Sequence, residues 1–146
     1  MPIKQIEHHS REYKQMIQLR YDILRKPLNL RFDNKELEKE KEDILIGAFD
    51  EDTILGCCLL HPLNNKEIRL RQMAVQNNLQ GKGIGAAIMN YAENISRDKG
   101  YKMITMHARM PAIGFYERLG YKIVGEEFME VSIPHFKMQK KLRFPD

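Results

Sequence analysis

Met73-Ala74-Val75-Gln76-Asn77-Asn78-Leu79-Gln80-Gly81-Lys82-Gly83-Ile84-Gly85-Ala86 is the stretch on which the fold turns. It reads as a strand that enters a polar, glycine-rich loop, and the loop becomes the first turn of a helix. The first N–H groups of a helix have no partner inside it. With about half a positive charge from the macrodipole, they make an anion site. Gly81, Gly83 and Gly85 carry no Cβ, so a pyrophosphate can come close to the backbone, and Lys82 adds a local positive charge. A dinucleotide fingerprint needs G-x-G-x-x-G and an acid about 20 residues on. Here the glycines fall as G-x-G-x-G, and Met103-Ile104-Thr105-Met106 carries no acid. A Walker loop needs Gly-Lys followed by Ser or Thr, which Gly81-Lys82-Gly83 does not supply.

Working outward, upstream of the loop Glu67 to Val75 alternates as a strand, with Ile68, Leu70 and Gln72 opposite Arg69, Arg71 and Met73. Ile44 to Phe49 and Ile54 to Leu60 form a hairpin around Asp50-Glu51-Asp52-Thr53. Earlier still, Ile3 to Ile6 is a short strand, Ser10 to Arg25 has helical apolar spacing and Pro27 stops it. Asp33 and Glu36 have capping-box spacing and open a short charged helix through about Lys41. Downstream, Ile84, Ala87, Ile88, Tyr91 and Ile95 mark one helix face, which Gly100 closes. Tyr101 to His107 is a strand, and a helix runs from Pro111 to Leu119 with Gly120 behind it. Tyr121 to Val131 and Phe136 to Leu142 are the last strands. The order β-α-α-β-β-β-α-β-α-β-β predicts an α/β fold: a central sheet, mixed in strand direction, with helices on both faces.

The first pattern resembles the acetyl-CoA signature of the GNAT N-acetyltransferase superfamily, Q/R-x-x-G-x-G/A, matched by Gln80, Gly83 and Gly85. A second stretch, Ala112-Ile113-Gly114-Phe115-Tyr116-Glu117-Arg118-Leu119-Gly120-Tyr121, resembles the family's A-x-x-F-Y-x-x-x-G-F/Y, one helix and one strand later. Ile133-Pro134-His135-Phe136-Lys137-Met138 also looks like a segment of a small bacterial, single-domain GNAT subgroup. The resemblance covers residues 44 to 142. It implies a mostly antiparallel twisted sheet of six to seven strands, flanked by about four helices. It also implies that Met73, Ala74 and Val75 pair with the pantetheine arm of acetyl-CoA, in a slot where that strand splays from its neighbour. Backbone amides of Gln80, Gly81, Lys82, Gly83, Ile84, Gly85 and Ala86 would hold the pyrophosphate. Phe115 would pack near the arm, and Tyr116 would point its hydroxyl at the thioester sulfur. Where many relatives have Asn, this chain has Arg109, so that role is not carried over.

The implied activity is N-acetyl transfer from acetyl-CoA to an amine of a small molecule or peptide, by direct attack. Tyr116 is the expected acid. His107, which ends one expected strand, His135, which begins another, and Glu130 on the strand between are candidate bases, with ordered water working through several of them as the alternative. The alternative is a non-catalytic acetyl-CoA-binding sensor or regulatory module. The acceptor pocket would draw on the N-terminal helices, the Arg25 to Asp33 connection and the C-terminal strands.

Composition sets further expectations. The 146 residues suit one domain, residues 1–146, with 42% hydrophobic and 30% charged residues as in a globular chain. A net charge of +4 suits a polyanionic cofactor, but its basic residues are interleaved with acids, which argues against a nucleic-acid partner. No apolar run is long enough to span a membrane, and Met1 to Ile6 lacks a signal-peptide core, so a cytoplasmic location is expected. Cys57 and Cys58, the only cysteines, are adjacent in a strand and read as buried small hydrophobes. They form neither a redox pair nor a zinc set, and no metal is expected. The sequence leaves the oligomeric state open; many relatives form homodimers, and by that analogy the C-terminal strand is the candidate contact.

Overall fold

The computed structural model describes residues 1–143; the last three positions of the expected domain lie outside the described residues. Among the described residues seven strands form: β1 (Ile3–Ile6), β2 (Ile44–Asp50), β3 (Thr53–Pro62), β4 (Glu67–Val75), β5 (Met103–Arg109), β6 (Lys122–Glu130) and β7 (Ile133–Lys141). The α-helices among the described residues are α1 (Arg11–Arg20), α2 (Asn34–Lys39), α3 (Ile84–Asp98) and α4 (Ile113–Arg118). The sheet order is β1-β2-β3-β4-β5-β7-β6. β4 and β5 run parallel, while β1/β2, β2/β3, β5/β7 and β6/β7 are antiparallel, so the sheet is mixed as expected. No helix among the described residues is long and apolar enough to cross a membrane.

The chain divides into two compact units, Met1–His61 with Arg71–Ala92, and Pro62–Leu70 with the residues from Glu93 onward. In the first unit, α1 lays Tyr13, Met16 and Leu19 on a core shared with Leu45, Cys57 and Leu59. The other face of β3 meets α3 at Gly56, where a Cβ would stand 2.9 Å from Ile88 Cδ1 and 3.2 Å from the Ala74 carbonyl oxygen. Only glycine admits so close a helix there. Cys57 and Cys58 are fully buried. Burial pushes both thiols up, that of Cys57 to about 12, so neither is a nucleophile at neutral pH.

Three local differences from the sequence expectations have physical causes. The α-helix begun by the Ser10 cap gives way at Tyr21 to a π-turn through Arg25, and Pro27 sits in a following 3₁₀ turn closed by left-handed Asn29. Proline fits that first turn because its missing N–H has no partner to lose. In β4 the in-out alternation holds at Ile68 and Leu70, then Gln72 takes a φ of 58° and breaks it. Last, β7 starts at Ile133 rather than Phe136, because Val131 (φ 45°) and Ser132 (φ 65°) make a two-residue hairpin that pairs Glu130 with Ile133. His135 is therefore third in its strand, not first, and β5 likewise runs two residues past His107.

The first unit also holds a buried ion pair. Arg20 is fully buried and grips Glu40 with two hydrogen bonds of 2.8 and 2.6 Å. The Tyr13 hydroxyl donates to the same carboxylate at 2.7 Å, and burial together with that bond raises the phenol's pKa. Arg20 Nε reaches the Gln72 side chain at 3.4 Å, tying the pair to the irregular point in β4. Removing one partner strands a buried charge, which costs about 3–5 kcal/mol. We therefore expect Arg20→Met to lose that much in urea unfolding, and Arg20→Met with Glu40→Leu to lose much less. A single-variant loss under about 1 kcal/mol would place the pair with solvated surface bridges instead.

Candidate functional site

The loop between β4 and α3 is built to leave amides unpaired. Gly81 and Gly83 have φ of 82° and 85°, the left-handed region that other residues enter only with strain. A Cβ built at either would meet nothing within 4 Å, so both face open space. The first helical hydrogen bond here runs from Ala87 N–H to the Gly83 carbonyl at 3.0 Å. The N–H groups of Gly83, Ile84, Gly85 and Ala86 thus precede the ladder. Gly85, by contrast, lies inside the first turn of α3. Ile84 is buried and anchors that turn, while Lys82 is exposed.

The loop is fastened from beneath. Gln76 bonds β3 twice, from its N–H to the Leu55 carbonyl at 3.0 Å and from its side-chain amide to the Ile54 carbonyl. Gln80 donates its side-chain amide to the Val75 carbonyl at 3.2 Å and to Asn77 Oδ1 at 3.3 Å. The side chain of the motif glutamine therefore folds the loop back on the end of β4. Of the three strand residues before it, Ala74 is buried, and Met73 and Val75 are half-buried.

In the second unit, Tyr116 lies on α4 with only 6% of its surface exposed. Its ring meets Phe115 edge-on at 5.0 Å and Tyr121 at 5.9 Å. The Tyr121 hydroxyl donates to buried Glu93 at 3.0 Å, and Lys140 holds the same carboxylate at 2.9 Å. These bonds fix the floor on which Tyr116 rests.

The candidate bases converge in this unit. His107 Nδ1 lies 2.8 Å from Arg69 Nη2 and 3.0 Å from Glu130 Oε1. His135 Nε2 is 3.5 Å from Glu130 Oε2, and its Nδ1 lies 2.9 Å from the Ile133 carbonyl, to which it donates. Phe128 is wedged between the imidazoles, 5.0 Å from His107 and 5.9 Å from His135. Strand pairing does this: Arg69 faces Thr105, two residues from His107 on the same side, and His135 is flanked by Arg109 and Phe128. His135 is buried, whereas the His107 side chain is 29% exposed and reachable.

One nitrogen cannot serve both neighbours of His107 in one state. Arginine only donates, so Arg69 requires a lone pair on Nδ1, while a bond to Glu130 requires a proton there. Bonded to Glu130, neutral His107 carries its proton on Nδ1 and keeps its lone pair on Nε2, the tautomer a base needs; bonded to Arg69, it carries the proton on Nε2 and cannot accept one there. Burial alone would raise the pKa of Glu130; the His107 hydrogen bond and the charges of His107, His135 and Arg69 outweigh it and hold the carboxyl below its usual 4.5.

Two groups escaped the sequence reading. Arg69 was visible only as one side of an alternating strand. Asp43 and His61 form a 2.6 Å hydrogen bond, with the Asp43 side chain 3% exposed and the His61 side chain 45% exposed. The hairpin register, Ile44 against Leu60, places 43 beside 61 and could have revealed the pair. Arg25, an acceptor-side candidate, stacks on Phe32 at 4.1 Å and reaches Glu36 at 3.4 Å.

The sequence profile of the Acetyltransferase (GNAT) family matches residues 4–121. The chain belongs to that family. With membership come the acyltransferase class and acetyl-CoA as acyl donor. The GNAT chain is 35% identical over 74 residues to the protein YyaT of Bacillus subtilis (strain 168), a match spanning 51% of this chain and 50% of that one. It is 26% identical over 138 residues to the N-acetyltransferase YjcF of the same organism, covering 92% and 96%. Among solved structures, an aminoglycoside 6'-N-acetyltransferase complexed with coenzyme A superposes over the full length of both chains with a TM-score of 0.82 at 22% identity.

Because the Glu130 pKa is depressed, its contribution to stability is present above about pH 4.5 and is lost as the pH falls through the lower folded value. Side-chain carboxyl NMR should find Glu130 titrating below 4.5, and His107→Ala should move it upward. A midpoint unchanged by that substitution would mean the two groups do not interact in solution.

Proposed function

We propose that this GNAT chain acts as one domain, transferring the acetyl group of acetyl-CoA to an amine of a small molecule or peptide by direct attack in a ternary complex. The observation that carries the proposal is the loop from Gln80 to Ala86, with its left-handed glycines and its row of amides ahead of the α3 ladder. The family match, which runs through both compact units, supports the single domain.

An amine of pKa near 10.4 is neutral in only about one molecule in 2,500 at pH 7, and neutralising it costs roughly 4.6 kcal/mol. A proton acceptor is therefore needed before or during attack. His107, reachable and backed by Glu130, is our candidate, with buried His135 positioning Glu130. The leaving thiolate is tolerable, given a thiol pKa near 8.5, and a hydrogen bond from Tyr116 stabilises it as charge develops. With acetyl-CoA bound, the loop amides would hold the pyrophosphate, the backbone of Met73 to Val75 would take the pantetheine arm, and Phe115 would pack beside it. Both cysteines are too buried for an acyl-enzyme intermediate, which favours direct transfer.

Calorimetric titration with acetyl-CoA, with NADH as control, tests the loop. We expect micromolar binding to acetyl-CoA alone, lost in Gly83→Val because valine strains a φ of 85°. Equal binding of NADH would overturn the cofactor reading. A thiol-release screen over aminoglycosides, polyamines and peptides then tests turnover. On any substrate found, Tyr116→Phe and His107→Ala should each lower kcat by about 10²-fold or more. Tight binding with no turnover across the screen would favour an acetyl-CoA-binding module.

A further inference from the structure

Three side chains outside both family patterns meet where β1 turns into α1. His8, His9 and Glu38 each offer one ligand atom, and those atoms lie within 4.8 Å of one another. His8 Nε2 is 2.9 Å from the Leu37 carbonyl oxygen, so that nitrogen carries the proton and donates it. The remaining lone pair of the ring is on Nδ1, and Nδ1 is buried with no hydrogen-bond partner. A buried acceptor left without a partner costs about 1–3 kcal/mol. A carbonyl holding one nitrogen of an imidazole while the other presents its lone pair is the arrangement that orients histidine toward a metal.

The other two groups have matching geometry. His9 Nε2 and Glu38 Oε2 are 3.4 Å apart, long for a hydrogen bond. Two ligand atoms each about 2.0–2.1 Å from a tetrahedral zinc ion stand roughly 3.3–3.4 Å from each other. The His9 ring sits edge-on to His8 with centroids 4.1 Å apart, and its side chain is 71% exposed, which leaves it room to turn as an ion enters.

We propose that His8, His9 and Glu38 form a binding site for a divalent transition-metal ion of the zinc type. Two imidazoles and a carboxylate suit that class over magnesium or calcium, which prefer oxygen ligands. Solvent completes the coordination on the exposed side. The ligands come from the turn after β1 and from the last turn of α2, so the ion joins two segments about 30 residues apart in sequence. Its function is to clamp α2 to the start of α1. A search for cysteine spacings in the sequence could not find it, because it uses no cysteine.

The test uses the full chain without a histidine tag, stripped with chelator, and zinc chloride as the titrant. Calorimetry should give one equivalent with a micromolar dissociation constant. At a hundredfold excess over that constant, Tm should rise by about 5–10 °C, and magnesium should do nothing. The variant His9→Ala with Glu38→Gln alters two exposed side chains and should keep the metal-free Tm, but bind zinc at least tenfold more weakly. Zinc binding of equal strength in that variant would assign the ion to His61, His107 or His135 and overturn the proposal. Failure of the wild type to bind would overturn it as well. Neither outcome bears on acetyl-CoA binding, which is measured separately.

Discussion

A left-handed backbone at two glycines governs how the donor groups of the β4–α3 loop are laid out along the chain. Gly81 and Gly83 turn the polypeptide from the end of β4 into α3 with φ values that place neither in the sheet nor in the helix. Because the turn is so abrupt, the amides that follow cannot find carbonyl partners behind them, and they remain as a row of donors. The helix behind them is held by Ile84 and Ile88, and Ile88 is admitted to the sheet by the missing side chain of Gly56. Gln76 and Gln80 then close the loop on β3 and β4. Preorganised donors of this kind spare the cost of ordering a loop on binding.

Polar groups inside the two units follow a different logic. The Arg20–Glu40–Tyr13 network is closed off from water and holds Gln72 where β4 departs from regular alternation. Such a network favours one arrangement of α1, α2 and β4, since any other leaves a charge buried and unpaired. The His107–Glu130–His135 group is open at one end. Its carboxylate is 41% exposed, and its central nitrogen has two partners that demand opposite protonation states. One network is built to stay as it is, the other to change state with a proton.

Much of the fold was legible in the sequence because local rules and tertiary structure agree. The capping box at Asp33 and Glu36 is present as expected, the hairpin around residues 50–53 forms, and α3 begins at Ile84, directly after Gly83. The departures fall where local rules are silent or compete. Nothing short-range marks the change from α to π at Tyr21. The last strand was expected from Phe136, yet the Val131–Ser132 turn sets the register and draws Pro134 into the strand opposite Met129.

By itself the sequence determined the order of elements, the buried cysteines and the glycine loop, since each depends on residues a few positions apart and on backbone geometry that only some side chains allow. It also carried both family patterns. Only the tertiary structure decided which polar side chains meet. Arg69, His107, Glu130 and His135 lie on four strands, and their contact depends on β5 pairing with both β4 and β7. His8, His9 and Glu38 meet because α2 folds back to the end of β1, and Asp43 meets His61 because β2 and β3 pair in one register. Side-chain chemistry is written in the sequence one residue at a time. Proximity across tens of residues is a property of strand pairing and packing, and no local rule contains it.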